Sequence, residues 1–393
     1  MSPDMIFTSE SVTPGHPDKL CDQISDAAID ALLREDERAH AAVECALATG
    51  ILFLAARYAA DALIDLPALA RAVMQDAGYA AGIFDARNCS ILTSFVEMPL
   101  DAREPPLLEL DDDEAIGRRV AHEQANVFGY ACRDTPEFMP APISLAHRVA
   151  RALDAARRNG FSSLSPDAKT QVSVEFHGGR PSRIHGVSLT VAFDGGAMDE
   201  DKFEQLRAIA LDALSIGNMG PDAQTKVQVN AGEPFEIGGP ARHAGLTGRK
   251  NGIDSYGEIA RQSGSALSGK DPSRVERAGA YAARHAAKNI VAAGLAERCE
   301  VHLAYAAGQA KPLSLSVETF GSGRLGDEKL AGRVGELLDF RPASIVRRFG
   351  LRTAPAASGA AGFYLPLATY GHFGRADLDL PWEATDFADA LRS

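Results

Sequence analysis

Residues 18–33, DKLCDQISDAAIDALL, place Leu20, Ile24, Ala27, Ala28, Ala31 and Leu32 at three- and four-residue intervals, the period of an amphipathic helix. Pro17 and Asp18 stand just ahead of them as an acidic helix start. The pattern then changes. Residues 41–59, AAVECALATGILFLAARYA, read as two short apolar strands broken at Thr49-Gly50. DLPALARAVMQDAGY predicts a second amphipathic helix ending at Gly78, and NCSILTSFVEM predicts another strand. These four give a β-β-α-β order.

Residues 99–116, PLDAREPPLLELDDDEAI, combine three prolines with an acidic run and predict a surface loop and a boundary. PAPISLAHRVARALDAARRNG predicts a helix closed by Gly160, TQVSVEF and GVSLTVAF alternate like paired strands, and DKFEQLRAIALDAL predicts a further helix. A second break falls at NAGEPFEIGGP. After it, ERAGAYAARHAAKNIVAAG predicts a long helix stopped by Gly294, and CEVHLAYAAG and PLSLSVETFG predict strands. Strand pairs and helices recur about three times, which predicts an α+β chain of three related units.

Composition narrows this picture. A chain of 393 residues with 46% hydrophobic content can bury a large core in two or three domains. No apolar run approaches the roughly 20 residues that span a bilayer, so no membrane partner is expected. The N-terminus lacks the features of a secretory signal. Five scattered cysteines without a C-x-x-C pair point to a reducing cytoplasm and away from a zinc ribbon or disulfide framework. A net charge of −13 argues against nucleic acid as a partner. Against that acidic background, Arg249-Lys250, Lys270, Arg274 and Arg277 form a local concentration of cations.

Three stretches carry candidate chemistry. In SESVTPGHPDKLCDQ, Gly15 permits a tight turn, and His16 and Asp18 stand at a helix start, suiting either a phosphate-and-metal corner or a capping loop. In LSPDAKTQVSVEF, Asp167 and Lys169 enter a strand, a weak signal that a solvated pair would also give. GGPARHAGLTGRK and SGSALSGKDPSR are glycine-rich loops ending in lysine, which lets a polyanion approach the backbone while cations neutralise it. From Gly264 the second loop reads G-x-x-x-x-G-K, but Asp271 stands where a P-loop has Ser or Thr, and no apolar strand leads in.

Taken together, FTSESVTPGHPDKLCDQISDA, MPAPISLAHR, PDAKTQVSVEF, GLTGRK, SGKDPSR, YAARHAAKNIVAAGLAERCEV and YGHFGR closely resemble the S-adenosylmethionine synthetase (methionine adenosyltransferase) family over residues 7–374. The resemblance implies three interleaved α+β domains with pseudo-threefold symmetry: an N-terminal domain at 4–100, a gating loop at 101–116, a central domain at 117–236 and a C-terminal domain at 237–393. It implies a cytoplasmic homodimer or homotetramer with active sites between subunits. The implied reaction transfers the adenosyl group of ATP to the methionine sulfur and releases phosphate and pyrophosphate through bound triphosphate. Mg2+ and K+ are the implied cofactors.

Carried over position by position, the resemblance assigns catalytic roles to His16, Lys169, Arg249, Lys250 and Lys270. Asp167, Ala168, Phe235 and Ala266 join them around ATP, with Asp18 and Glu276 as magnesium ligands and Glu44 as a potassium ligand. The acceptor half departs from the family pattern. Arg57 replaces a Glu that receives the methionine ammonium, Met98 replaces a Gln, Glu123 and His243 each replace an Asp, Arg274 replaces a Lys, and Pro234 replaces an Arg. At an effective dielectric near 20, a unit charge about 4 Å away contributes on the order of 4 kcal/mol, so these changes bear on the acceptor. Three readings follow: methionine in a rearranged pocket, an adenosyl transferase or triphosphate-cleaving relative with another small acceptor, or a non-catalytic paralogue in a hetero-oligomer.

Overall fold

The computed structural model describes residues 4–82, 84–106, 112–193, 198–232 and 237–393. In chain order its strands are β1 (Asp4–Val12), β2 (His40–Ala48), β3 (Ile51–Ala59), β4 (Ser90–Glu97), β5 (Ala125–Cys132), β6 (Leu164–His177), β7 (Arg180–Phe193), β8 (Lys226–Val229), β9 (Gly245–Leu246), β10 (Arg298–Tyr305) and β11 (Ser314–Glu318). Among the described residues they form three sheets, ordered β1-β6-β7-β8, β4-β3-β2-β9 and β11-β10-β5.

Interleaving is visible in the pairing. β1 runs antiparallel to β6, β9 to β2, and β5 to β10, so each sheet takes a strand from a distant part of the chain. The apolar pattern announces none of these three. β1 is rich in Ser, Thr and Glu, β5 is broken by Gly129, and β9 has only two residues. Strands recognised by alternation also grew: TQVSVEF and GVSLTVAF are the C-terminal halves of two 14-residue strands, β6 and β7.

Helices cover the sheets. Helix Ala141–Arg158 packs on β6 and on helix Glu200–Ala213, and helix Val275–Ala292 packs on β5 and β10. Helix Pro17–Glu35 lies against β2 with residues 17–33 all buried. Complete burial is unusual for a helix with aspartates at 18, 22, 26 and 30, because a buried carboxylate must find donors or cations. Among the described residues no helix is long and apolar enough to cross a membrane, and all five cysteines are free and buried.

Candidate active site

The four aspartates recur every fourth residue and so share one helix face. Each takes backbone N–H groups from a distant segment. Asp18 Oδ1 accepts from Leu246 at 3.0 Å, Asp22 Oδ1 from Gly248 at 2.7 Å, and Asp26 Oδ1 from Gly269 at 2.9 Å. Asp30 accepts from Phe363, Tyr364 and Leu365 at 2.8–3.0 Å. The first three fasten the GLTGRK and SGK loops to one rigid rod. Two buried cations balance the charge: Lys19 bonds Asp22 at 2.8 Å and also Asp254, while Arg277 bonds Asp26. Burial still pushes the Asp26 pKa up to about 6 and that of Asp254 up to about 7.

At the helix start, His16 is the capping residue, and its Nδ1 accepts the Asp18 N–H at 3.2 Å. That bond leaves the proton on Nε2, so the ring presents a donor. Burial pushes the His16 pKa down to about 3; Asp167 opposes this, while Lys250, His243 and Lys169 reinforce it. The imidazole is therefore neutral at physiological pH, with Lys169 and Lys250 close enough to be felt. Gly15 packs against Pro166, where an added Cβ would lie 2.4 Å from the proline ring, which fixes the GHPDK turn against the strand carrying Asp167, Ala168 and Lys169.

Asp167 is fully buried, and its Oδ2 accepts from Gly239 N at 2.8 Å and from His243 Nε2 at 2.9 Å. Despite burial, these bonds and the neighbouring His16 hold its pKa below the usual carboxylate value. His16, Asp167 and His243 have the composition of a transition-metal cluster, with ligand atoms within 4.8 Å of one another. Their hydrogen bonds argue for another use, since His16 Nε2 carries a proton and His243 Nε2 is engaged by Asp167.

Arg249 and Lys250 reach Asp18 at 4.0 and 3.9 Å, and Lys250 lies 3.6 Å from Glu10. Gly248, at φ +75°, lets the two glycine-rich loops meet, because a Cβ there would stand 2.3 Å from that of Ala266. Lys270 follows Gly269 and pairs with Glu276 at 3.0 Å. It is anchored two helical turns beyond Asp18, about 12 Å along the rod. Asp271 accepts from Ala41 N, Ser273 N and Arg352, each at 2.8 Å, and is fully buried. Against the effect of burial, His40 and Arg352 hold its carboxyl well below the usual range. The residue that spoils the P-loop pattern is thus the buckle of the loop.

The magnesium expectation fits the donors present. Asp18 is a buried carboxylate whose pKa burial raises, and Glu276 Oε2 is buried without a hydrogen-bond partner among the described residues. Hard carboxylate oxygens beside a polyphosphate are what that ion takes. Glu44, the expected potassium ligand, is exposed on β2 opposite Ala55, between Ala42 and Ala46 on the strand's outer face. Of the acceptor residues, Arg57 donates from Nε to Met98 Sδ at 3.2 Å, and Arg274 pairs with Glu123 at 3.0 Å. Phe235 and Pro234 lie outside the described residues.

Sequence reasoning missed Lys19, Asp22, Asp26 and Asp254. The four-residue spacing of the aspartates was the available signal. It also grouped Arg277 with the loop cations, whereas the structure buries it as the partner of Asp26.

Sequence profiles of the S-adenosylmethionine synthetase N-terminal, central and C-terminal domains match residues 4–99, 118–235 and 237–384. Among curated proteins, the S-adenosylmethionine synthases of Microcystis aeruginosa and Crocosphaera subtropica are each 44% identical, covering 100% of this chain and 98% of their own. That of a Synechococcus strain is 45% identical, with 98% and 97% covered. With three domain profiles in order, this similarity from end to end and the GHPDK, GLTGRK and SGK segments gathered on one buried helix, the chain belongs to the S-adenosylmethionine synthetase family.

Proposed function

We infer that this protein is a methionine adenosyltransferase, forming S-adenosylmethionine from ATP and methionine. The observation that carries the reading is the convergence of a neutral, proton-bearing His16 with Lys169 and Lys250, beside two cationic loops locked to the Asp18-Asp22-Asp26 face. A thioether sulfur has an available lone pair and no proton to lose, so no general base is needed. Sulfur forms the bond to C5′ as the C5′–O bond breaks, and that electron pair leaves with the triphosphate. About four negative charges depart at neutral pH, so the rate depends on donors and cations fixed before the bond breaks.

In this reading His16 Nε2–H faces the oxygen that leaves C5′. Lys169, Arg249, Lys250 and Lys270 hold the triphosphate, while Asp167, Ala168, Ala266 and Phe235 border the nucleotide. Asp18 and Glu276 would hold Mg2+, which when bound neutralises phosphate charge. Met98, Glu123, His243, Arg274 and Arg57 form the acceptor half. The relatives' full-length similarity favours methionine over another acceptor or a non-catalytic role.

A second copy of the chain is part of the reading. Ile51, Phe53, Leu92, Val96 and Leu246 are 44–55% exposed on one face of the β4-β3-β2-β9 sheet, whose edge carries the phosphate loops. So large an apolar face suits burial against its own copy. The test incubates the protein with ATP and Mg2+, with and without methionine, and follows products by mass spectrometry. Methionine-dependent S-adenosylmethionine, phosphate and pyrophosphate support the reading; triphosphate release that ignores methionine overturns it.

A further inference from the structure

Arg249 and Lys250 are held loosely by their own side chains. Lys250 Nζ lies 3.6 Å from Glu10 and 3.9 Å from Asp18, and the half-exposed Arg249 comes no nearer than 4.0 Å to Asp18. None of these contacts is as close as a hydrogen bond, so they guide a flexible side chain without fixing it. Where the two charges stand is therefore set by the backbone on either side of them.

Ahead of them, Leu246 N and Gly248 N donate to Asp18 and Asp22 of the buried helix. Behind them comes the short helix Asn251–Asp254, in which Asp254 N donates to Lys250 O at 3.0 Å. Asp254 is fully buried and is held twice more. His372 N donates to its carbonyl at 2.9 Å, and Lys19 Nζ donates to its carboxylate. Lys19 is itself buried on the rod, where the same ammonium bonds Asp22 at 2.8 Å. One nitrogen thus ties both ends of segment 248–254, through Asp22 to Gly248 at one end and directly to Asp254 at the other.

This cluster is not built as a stability device would be. Two carboxylates share one cation, and Asp254 Oδ2 is buried with no hydrogen-bond partner among the described residues. A buried ion pair adds little to stability over apolar residues of the same volume. We propose that Lys19 and Asp254 are positioning residues for triphosphate binding: their bond fixes the path of segment 248–254 and so the place of the Arg249 and Lys250 charges. Both are shut off from solvent and act only through that backbone. The proposal rests on the assignment of Arg249 and Lys250 to the triphosphate.

The test compares full-length wild type with Asp254→Ala, Asp254→Asn and Lys288→Met. Asp254→Ala leaves Lys19 and Asp22 as a one-to-one pair, so no buried charge is stranded. Lys288→Met is its counterpart away from the loops: Lys288 and Arg284 share Glu383, and the change leaves Arg284 paired. Calorimetry gives the affinity for tripolyphosphate with Mg2+, steady-state assays give kcat and the KM for ATP and methionine, and melting curves report the fold. Asp254→Ala should weaken tripolyphosphate about tenfold to a hundredfold and lower kcat by a similar factor, with methionine KM within about twofold of wild type. Asp254→Asn, whose amide oxygen still accepts from Lys19, should lose less. Lys288→Met should match wild type in all these constants, whatever its melting temperature. Unchanged tripolyphosphate affinity and kcat in Asp254→Ala overturn the proposal, and so does an equal loss in Lys288→Met, which marks a general loosening of the fold. If Asp254→Ala does not fold, Asp254→Asn decides by the same constants. Tripolyphosphate binding that depends on Asp254 in a protein that forms no S-adenosylmethionine keeps the positioning role and overturns the function; no binding by wild type overturns both.

Discussion

Asp26 bonds Gly269 and Glu44 adjoins Val43, the other partner of that glycine, yet the two carboxylates live in opposite environments. Asp26 takes the Gly269 N–H and the Arg277 guanidinium inside the protein, whereas Glu44 stands on the exposed side of β2, next to the strand residue that donates to Gly269 O. The contrast extends to both halves of the site. In the proposed reading the phosphate half hangs on buried acids, each tied to a particular backbone donor, which fixes the loops that carry its cations. The residues proposed for the acceptor half are half-buried or exposed and bonded mainly to one another, Arg57 to Met98 and Arg274 to Glu123. A preorganised electrostatic site needs a rigid scaffold. An acceptor pocket can change its residues one at a time because little of the core depends on them.

The sharpest break in that contrast should come from the phosphate half. Lys270→Ala is expected to lower adenosyl transfer a hundredfold or more, about 3–4 kcal/mol of barrier, in a protein whose circular dichroism remains that of the folded wild type. Next, Arg277→Met leaves Asp26 as an unpaired buried charge and should cost about 3–5 kcal/mol in urea unfolding. Substituting Asp26→Asn in the same chain should return part of that loss, and a second cost fully additive to the first would contradict the pairing.

His16 makes a smaller, pH-dependent difference. Its folded pKa of about 3 lies below the unfolded value of 6.5, so the unfolded chain binds the extra proton between these limits. Its contribution is present above pH 6.5 and is lost as pH falls toward 3, at up to about 1.4 kcal/mol per pH unit. Unfolding free energies of wild type and His16→Asn should therefore converge as pH falls from 6.5 to 4. Equal dependence on pH in both would mean that His16 is not held neutral. The smallest effect belongs to the acceptor half: Arg274→Ala should change stability by less than about 1 kcal/mol, because its partner Glu123 is exposed. A change in methionine KM without one in melting temperature would place Arg274 beside the substrate.

Legibility in the sequence followed the range of the interactions. Helices Pro17–Glu35, Ala141–Arg158 and Val275–Ala292 appear in the apolar period because that period reports which side of a single element is buried. β1 and β9 carry no such signal, since what makes them strands is a partner more than 150 residues away in one case and about 200 in the other. The motifs GHPDK, DAK, GLTGRK and SGK were visible as charges beside glycines, but their meeting was not.

The sequence alone determined the α+β class, the chemistry of the cations and the family, because composition, local period and quoted motifs are properties of the chain in order. Only tertiary structure decided that Asp22 and Asp26 are loop anchors, that Asp271 is a buckle and Arg277 a buried counter-charge, and that Glu44 and Arg57 share one sheet face. A side chain's role depends on which donors and how much water surround it. Those are set when distant segments pack, and no residue carries that information by itself.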